Sequence, residues 1–215
     1  MLSKDYILGF VEGEGCFSIA IGRNIDRRFK LKSKPNKIKN PYLFSIRPIF
    51  RITNCEANRQ VLEEIKETLN FGNIYAQTRG DASTQNVTYF YTRNFAECLK
   101  ARDYFKDLVF RTTKGKDFDL WSKGLELMEQ KKHLTKEGIL EICQLRDQMN
   151  FRKTKNKWTT EEVRKILEEK PIHQTAYFNQ NQEKLVHNPN EGAFNLEGWL
   201  APQRGNNKPS RFVAP

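Results

Sequence analysis

Ile7-Leu8-Gly9-Phe10-Val11-Glu12-Gly13-Glu14-Gly15 is the stretch on which the reading of this sequence turns. It follows Ser3, a good N-cap residue, and Asp5, an acid suited to the first turn of a helix. Tyr6, Ile7, Phe10 and Val11 recur at helical spacing. Gly9 and Gly13 are four residues apart, so they share a helix face on which a second helix can approach closely. Gly15 reads as the terminator. Glu12 and Glu14 then fall at the negative end of the helix dipole. That is a poor place for a carboxylate unless a cation is held there. A plain surface acid pair with capping glycines is the alternative reading of the same residues.

Working outward, residues 16–21 and 43–53 read as strands. Pro48 interrupts the second and argues for an edge or a bulge. Period-two alternation puts Arg47, Ile49, Arg51 and Thr53 on one face, and Phe44, Ile46, Phe50 and Ile52 on the apolar face. Residues 54–69 read as a helix with Val61, Leu62, Ile65 and Leu69 as its stripe, and Gly72 lies just past its end. Residues 72–79 form a third strand, with Tyr75, Gln77 and Arg79 on one face. Residues 87–93 form a fourth, in which consecutive Tyr89, Phe90 and Tyr91 leave the facing open. Asn94 caps a helix over 95–108. Phe118, Trp121, Leu125 and Met128 mark another helix, and Ile139, Ile142, Cys143 and Met149 a third. Thr159 and Glu162 form a capping box leading into Val163, Ile166 and Leu167. The order α-β-β-α-β-β-α implies an α+β fold, a four-stranded antiparallel sheet with helices on one face.

Composition bounds the function. The chain has 215 residues and a formal net charge of +11. It contains no run of about 18 apolar residues, so no membrane-spanning helix is expected. The N-terminus is not a basic region followed by an apolar stretch, so no secretory signal is expected. Four Cys are far apart with no CxxC pair, and three His (133, 173 and 187) form no cluster, which argues against a zinc ribbon, a disulfide scaffold or a His-metal nuclease. Residues 171–215 hold five of the eight Pro and seven Asn, and read as an extended tail after a domain spanning 1–170. The tail has four basic and three acidic residues, so the body, with 33 basic and 23 acidic, carries +10. The charge is densest over residues 23–39, where Arg23, Arg27, Arg28, Lys30, Lys32, Lys34, Lys37 and Lys39 face one acid, Asp26. A basic loop beside a sheet face bearing Arg47, Arg51, Tyr75, Gln77 and Arg79 points to double-stranded DNA: the loop follows phosphates and Arg and Gln read purine edges. A solvated loop is the bland alternative.

The motif over residues 7–15 and the element order over roughly 3–168 resemble the LAGLIDADG homing endonucleases, in the variant with Gly-Phe-Val-Glu-Gly-Glu-Gly. The resemblance implies the homing-endonuclease fold and a metal-dependent, site-specific DNA endonuclease, often intron-encoded. It implies that Glu14 binds the catalytic metal, Mg²⁺, with the Gly13 carbonyl joining it. Glu12 matches the other acidic position, of more structural role. Asn54 matches a polar residue that positions water, and Asn58 a position often held by a basic residue. Lys114 matches the active-site lysine, with Lys116 the near alternative. Residues 157–164 look like the closing helix of single-motif members. With one motif, the resemblance implies a C2 homodimer through Gly9 and Gly13 and a long pseudo-palindromic target cut on both strands. An organellar location is expected from where such introns are common. An intron RNA maturase, or a DNA-binding protein without cleavage, is the alternative, which leaves intron RNA as a further partner.

Overall fold

The computed structural model describes residues 1–23, 44–77, 86–150 and 158–168. The elements run α1 (Lys4–Glu14), β1 (Gly15–Arg23), β2 (Phe44–Cys55), α2 (Arg59–Leu69), β3 (Asn73–Gln77), β4 (Val87–Tyr91), α3 (Phe95–Phe105), α4 (Lys114–Glu129), α5 (Lys136–Gln148) and α6 (Thr160–Glu168). The strands form one antiparallel sheet in the order β1-β2-β4-β3. This is the expected α+β arrangement. Among the described residues no helix is long and apolar enough to cross a membrane.

Helix α1 begins where expected: Ser3 Oγ accepts from the Tyr6 amide at 3.2 Å. Its end is also where expected, with Gly15 as the C-cap. Gly15 does not stop the helix in a left-handed turn; it is extended, at φ −75° and ψ 155°, and is already the first residue of β1. What demands glycine is space. A Cβ there would lie 2.5 Å from the Val11 carbonyl oxygen and 2.7 Å from Val11 Cγ1. Helix therefore passes into strand with no loop between them.

The side of the sheet facing the helices is an aromatic cluster. Phe17, Phe50, Phe90, Phe105 and Trp121 are fully buried. Phe17, two residues past the junction, stacks on Phe50 at 4.9 Å and meets Trp121 at 5.1 Å and Phe118 at 5.3 Å. Ile7 and Val11 pin α1 onto β1 and β2. Full burial of one such side chain contributes about 1.5–3 kcal/mol, so the junction rests on a rigid support.

Pro48 needs correction in part. β2 is an inner strand and its register with β1 runs unbroken through Ile19↔Pro48, so there is no bulge. Yet β4 pairs only with residues 51–55. The Pro48 carbonyl accepts from Cys98 Sγ, on the side away from β1. A strand residue's N–H and C=O point the same way, so the missing N–H falls where β2 has no strand neighbour. The helix expected from residue 54 starts later, because β2 runs on through Cys55 and a 3-10 turn, Glu56–Asn58, precedes α2. The expected capping box is present in both directions. Glu162 N donates to Thr159 Oγ1 at 3.1 Å, and Thr159 N to Glu162 Oε2 at 2.7 Å. The expected tail, 171–215, lies outside the described residues.

Candidate active site and nucleic-acid interface

Two charges sit at the wrong ends of their helices. Glu14 closes α1, whose last turn has no basic residue. Lys114 opens α4, where the dipole is positive. The fold brings these ends together: Lys114 Nζ donates to the carbonyl of Gly15, the residue after Glu14, at 2.5 Å. A local preference broken twice at one place makes this junction the candidate site. Between the two lysines left open by sequence, Lys114 is half-buried and reaches the junction, whereas Lys116 is exposed.

Glu12 ties the same parts from the other side. Its Oε1 accepts from the backbone amides of Arg111 and Thr112, which lead into α4. These amides, Arg111 first, hold its carboxyl below the usual carboxylate range against a small opposing effect of burial. Glu12 is thus a clamp, leaving Glu14 as the exposed acid of the pair. Asn150 adds a third tie: its amide N donates to Asp117 Oδ1 at 2.8 Å and its Nδ2 to the Phe17 carbonyl at 3.1 Å.

Asn54 lies at the same end of the sheet. β2 continues past the Gly15↔Ile52 pair, carrying Asn54 beyond the junction. Its Oδ1 accepts from the Cys55 amide at 2.8 Å and from Asn58 Nδ2 at 3.1 Å, so the two asparagines form one unit. Donors suited to a hard cation are the Glu14 carboxylate and the carbonyl of Gly13 in the last helical turn, whose carbonyls lack full intrahelical pairing. Among the described residues, no three His, Cys, Asp or Glu converge. One carboxylate with waters and substrate phosphates fits Mg²⁺, which seldom takes an all-protein cage.

On α1, Tyr6, Gly9 and Gly13 lie away from Ile7 and Val11, while Phe10 at the side packs partly against the core. Tyr6 is exposed, and a Cβ at Gly9 or Gly13 would meet nothing within 4 Å. That stripe is therefore open on this chain.

The side of the sheet away from the helices carries Arg47, Arg51, Tyr75 and Gln77, as alternation predicts. Tyr89 resolves the ambiguous strand: Thr88 and Phe90 are fully buried on the helix side, and Tyr89 lies on the other. There it organises its neighbours. The Arg51 guanidinium lies 5.2 Å from its ring centroid, Tyr75 stacks on it at 6.4 Å, and its hydroxyl donates to Gln77 Oε1 at 2.7 Å. Sequence reasoning missed Tyr89; the signal was its pairing opposite Tyr75, unreadable without the register. Arg47 is half-buried, and burial lowers its pKa from the ordinary arginine value. Arg23 departs from expectation. Alternation from Phe17, Ile19 and Ile21 puts it on the helix side, with its guanidinium 6.0 Å from the Phe44 ring centroid. Arg28, Lys30, Lys32, Lys34 and Arg79 lie outside the described residues.

A family model described as LAGLIDADG endonuclease matches residues 7–125, more than half the chain. The chain belongs to the LAGLIDADG endonuclease family. A curated relative from Schizosaccharomyces pombe, a probable intron-encoded endonuclease Cox1-I1b, is 27% identical over 124 residues, 58% of this chain and 27% of the relative. The chain thus spans about a quarter of that relative's length. Among solved structures, the homing endonuclease I-TnaI is similar at 27% identity and a TM-score of 0.59, over 78% of this chain and 97% of that one. The archaeal intron-encoded homing endonuclease I-Vdi141I, solved in complex with DNA, is similar at 25% identity and a TM-score of 0.62, over 77% and 94%. I-CpaMI shares the fold at 21% identity and a TM-score of 0.59, over 72% of this chain but 46% of that one.

Proposed function

We propose that this chain is a site-specific, metal-dependent DNA endonuclease that makes a double-strand break in a long, pseudo-palindromic target, encoded in an organellar intron and acting in its homing. The observation that carries the reading is that Lys114 reaches the Glu14–Gly15 junction, with Asn54 at the same end of a sheet whose open face bears Arg51, Tyr75 and Gln77. Glu14 and the Gly13 carbonyl hold Mg²⁺, which supplies water activation and stabilises charge on the leaving oxygen. Lys114 places a fixed positive charge beside the scissile phosphate, and Asn54 offers polar contacts that orient water. Glu12 keeps the Lys114 backbone in position through Arg111 and Thr112.

One chain supplies one such carboxylate, so two cuts require two copies related by a twofold axis. The open Tyr6–Gly9–Gly13 stripe is the surface for that pairing. The near-complete coverage of I-TnaI and I-Vdi141I, against less than half of I-CpaMI, supports the half-enzyme reading.

The test is incubation of purified protein with Mg²⁺ and the intronless version of its host gene. Cleavage at the intron-insertion junction is expected, with a loss of at least about a hundredfold for Glu14→Gln while DNA binding is retained. Equal cleavage by the variant overturns the catalytic assignment. Absent cleavage with faster splicing of the parent intron transcript moves the protein to the RNA-binding class. For assembly, Gly13→Ala adds a methyl into open space on the monomer and favours the helix by up to about 1 kcal/mol. Sedimentation should show a monomer that still folds; an unchanged dimer places the contact elsewhere.

A further inference from the structure

Tyr89 belongs to no part of the proposed cleavage chemistry, yet it touches two residues of the DNA-reading face at once, Arg51 and Gln77. Arg51 and Gln77 lie on the strands flanking β4 and on opposite diagonals of Tyr89, since Arg51 pairs with Tyr91 and Gln77 with Val87. We propose that Tyr89 determines specificity by holding the Gln77 carbonyl end and leaving its NH₂ to meet the DNA, so that Gln77 prefers guanine to adenine. The inference rests on the DNA-reading assignment of this sheet face.

The argument is one of hydrogen-bond inventory. A free glutamine amide offers a carbonyl oxygen with two lone pairs and an NH₂ with two donors, and can turn either end to a base. It matches adenine, whose major-groove edge pairs the N7 acceptor with the N6 donor. Here the Tyr89 hydroxyl donates to Gln77 Oε1 at 2.7 Å. The carbonyl end is tied to Tyr89, which leaves the NH₂ as the end of the planar amide that can meet a base. Two donors then meet the base edge, and guanine, with acceptors at both N7 and O6, is the base that satisfies them. Tyr89 is held for this task. It is buried, stacked on Tyr75 and covered by the Arg51 guanidinium, so its hydroxyl has little freedom to turn away. Removing the hydroxyl alone keeps the ring and both ring contacts while freeing the Gln77 carbonyl.

The experiment is selection of bound duplexes from a randomised DNA pool, using the full chain and three proteins: wild type, Gln77→Leu and Tyr89→Phe. Gln77→Leu identifies the base-pair column that Gln77 reads, because that column alone loses its preference. In wild type this column is expected to be guanine. In Tyr89→Phe the adenine-to-guanine ratio in the same column should rise on the order of tenfold, the size of one bidentate contact. An adenine column in wild type overturns the proposal whether or not the variants fold. So does a column that Tyr89→Phe leaves unchanged. A wild-type protein that enriches no sequence overturns the DNA-reading assignment itself, and the inference with it.

Discussion

Phe50 and Arg51 are neighbours in β2 and face opposite worlds. Phe50 is fully buried between Phe17, Phe90 and Phe105. Arg51 lies over the Tyr89 ring on the open side. The period of two separates stability from recognition along one strand. The helix side is filled by shape, so its residues depend on one another. The open side is organised by a few polar contacts, so its residues can change one at a time while the fold stays.

The comparison can be broken first where it is strongest. Phe50→Ala should cost about 3–5 kcal/mol, read as a lower denaturant midpoint. Arg51→Ala should leave stability within about 0.5 kcal/mol yet lose about 1–3 kcal/mol of discrimination at one base pair, read by competition binding. If Arg51→Ala instead unfolds the protein, the two faces are not separable. Away from the sheet, Thr159→Ala removes half of the capping box and should cost about 1 kcal/mol. Hydrogen exchange should locate that loss in α6, whose Val163 and Leu167 are buried. The smallest effect is chemical. Burial pushes the Cys98 thiol up to about 12 and the Cys143 thiol up to about 11. Both should resist alkylation in native protein near neutral pH, while the half-buried Cys16 and Cys55 should react first.

Much of the frame was legible in the sequence. The 7–15 motif, the alternation in β2 and the Thr159–Glu162 box each follow from local spacing, and the structure has all three. What was not legible depends on partners far away in sequence. Tyr89 had no assignable side until β4 was set against Tyr75 and Thr53. Lys114 could not be told from Lys116 until α4 was placed against the Gly15 carbonyl. Gly15 was legible as the helix terminator, but not that Val11 one helical turn earlier is what excludes a side chain there. Asn54 was read into a helix because local pattern cannot show that β2 still has β4 to pair with through Cys55.

The loopless junction at Gly15 makes the molecule a ruler. Its zero mark is Glu14, and its graduations are the open-side residues of β2, tied to β1 through the Cys16↔Arg51 and Ala20↔Arg47 pairs. Same-face residues recur about every 6.6–6.8 Å along a strand, close to two base-pair steps of about 3.4 Å. With no hinge between mark and graduations, the roles proposed above for Glu14 and the open face make the offset from the bases read to the bond cut a matter of counting residues. Lengthening β1 and β2 together by two residues should therefore move the reading side chains by about two base pairs relative to the nick, measurable by mapping cut ends on selected targets.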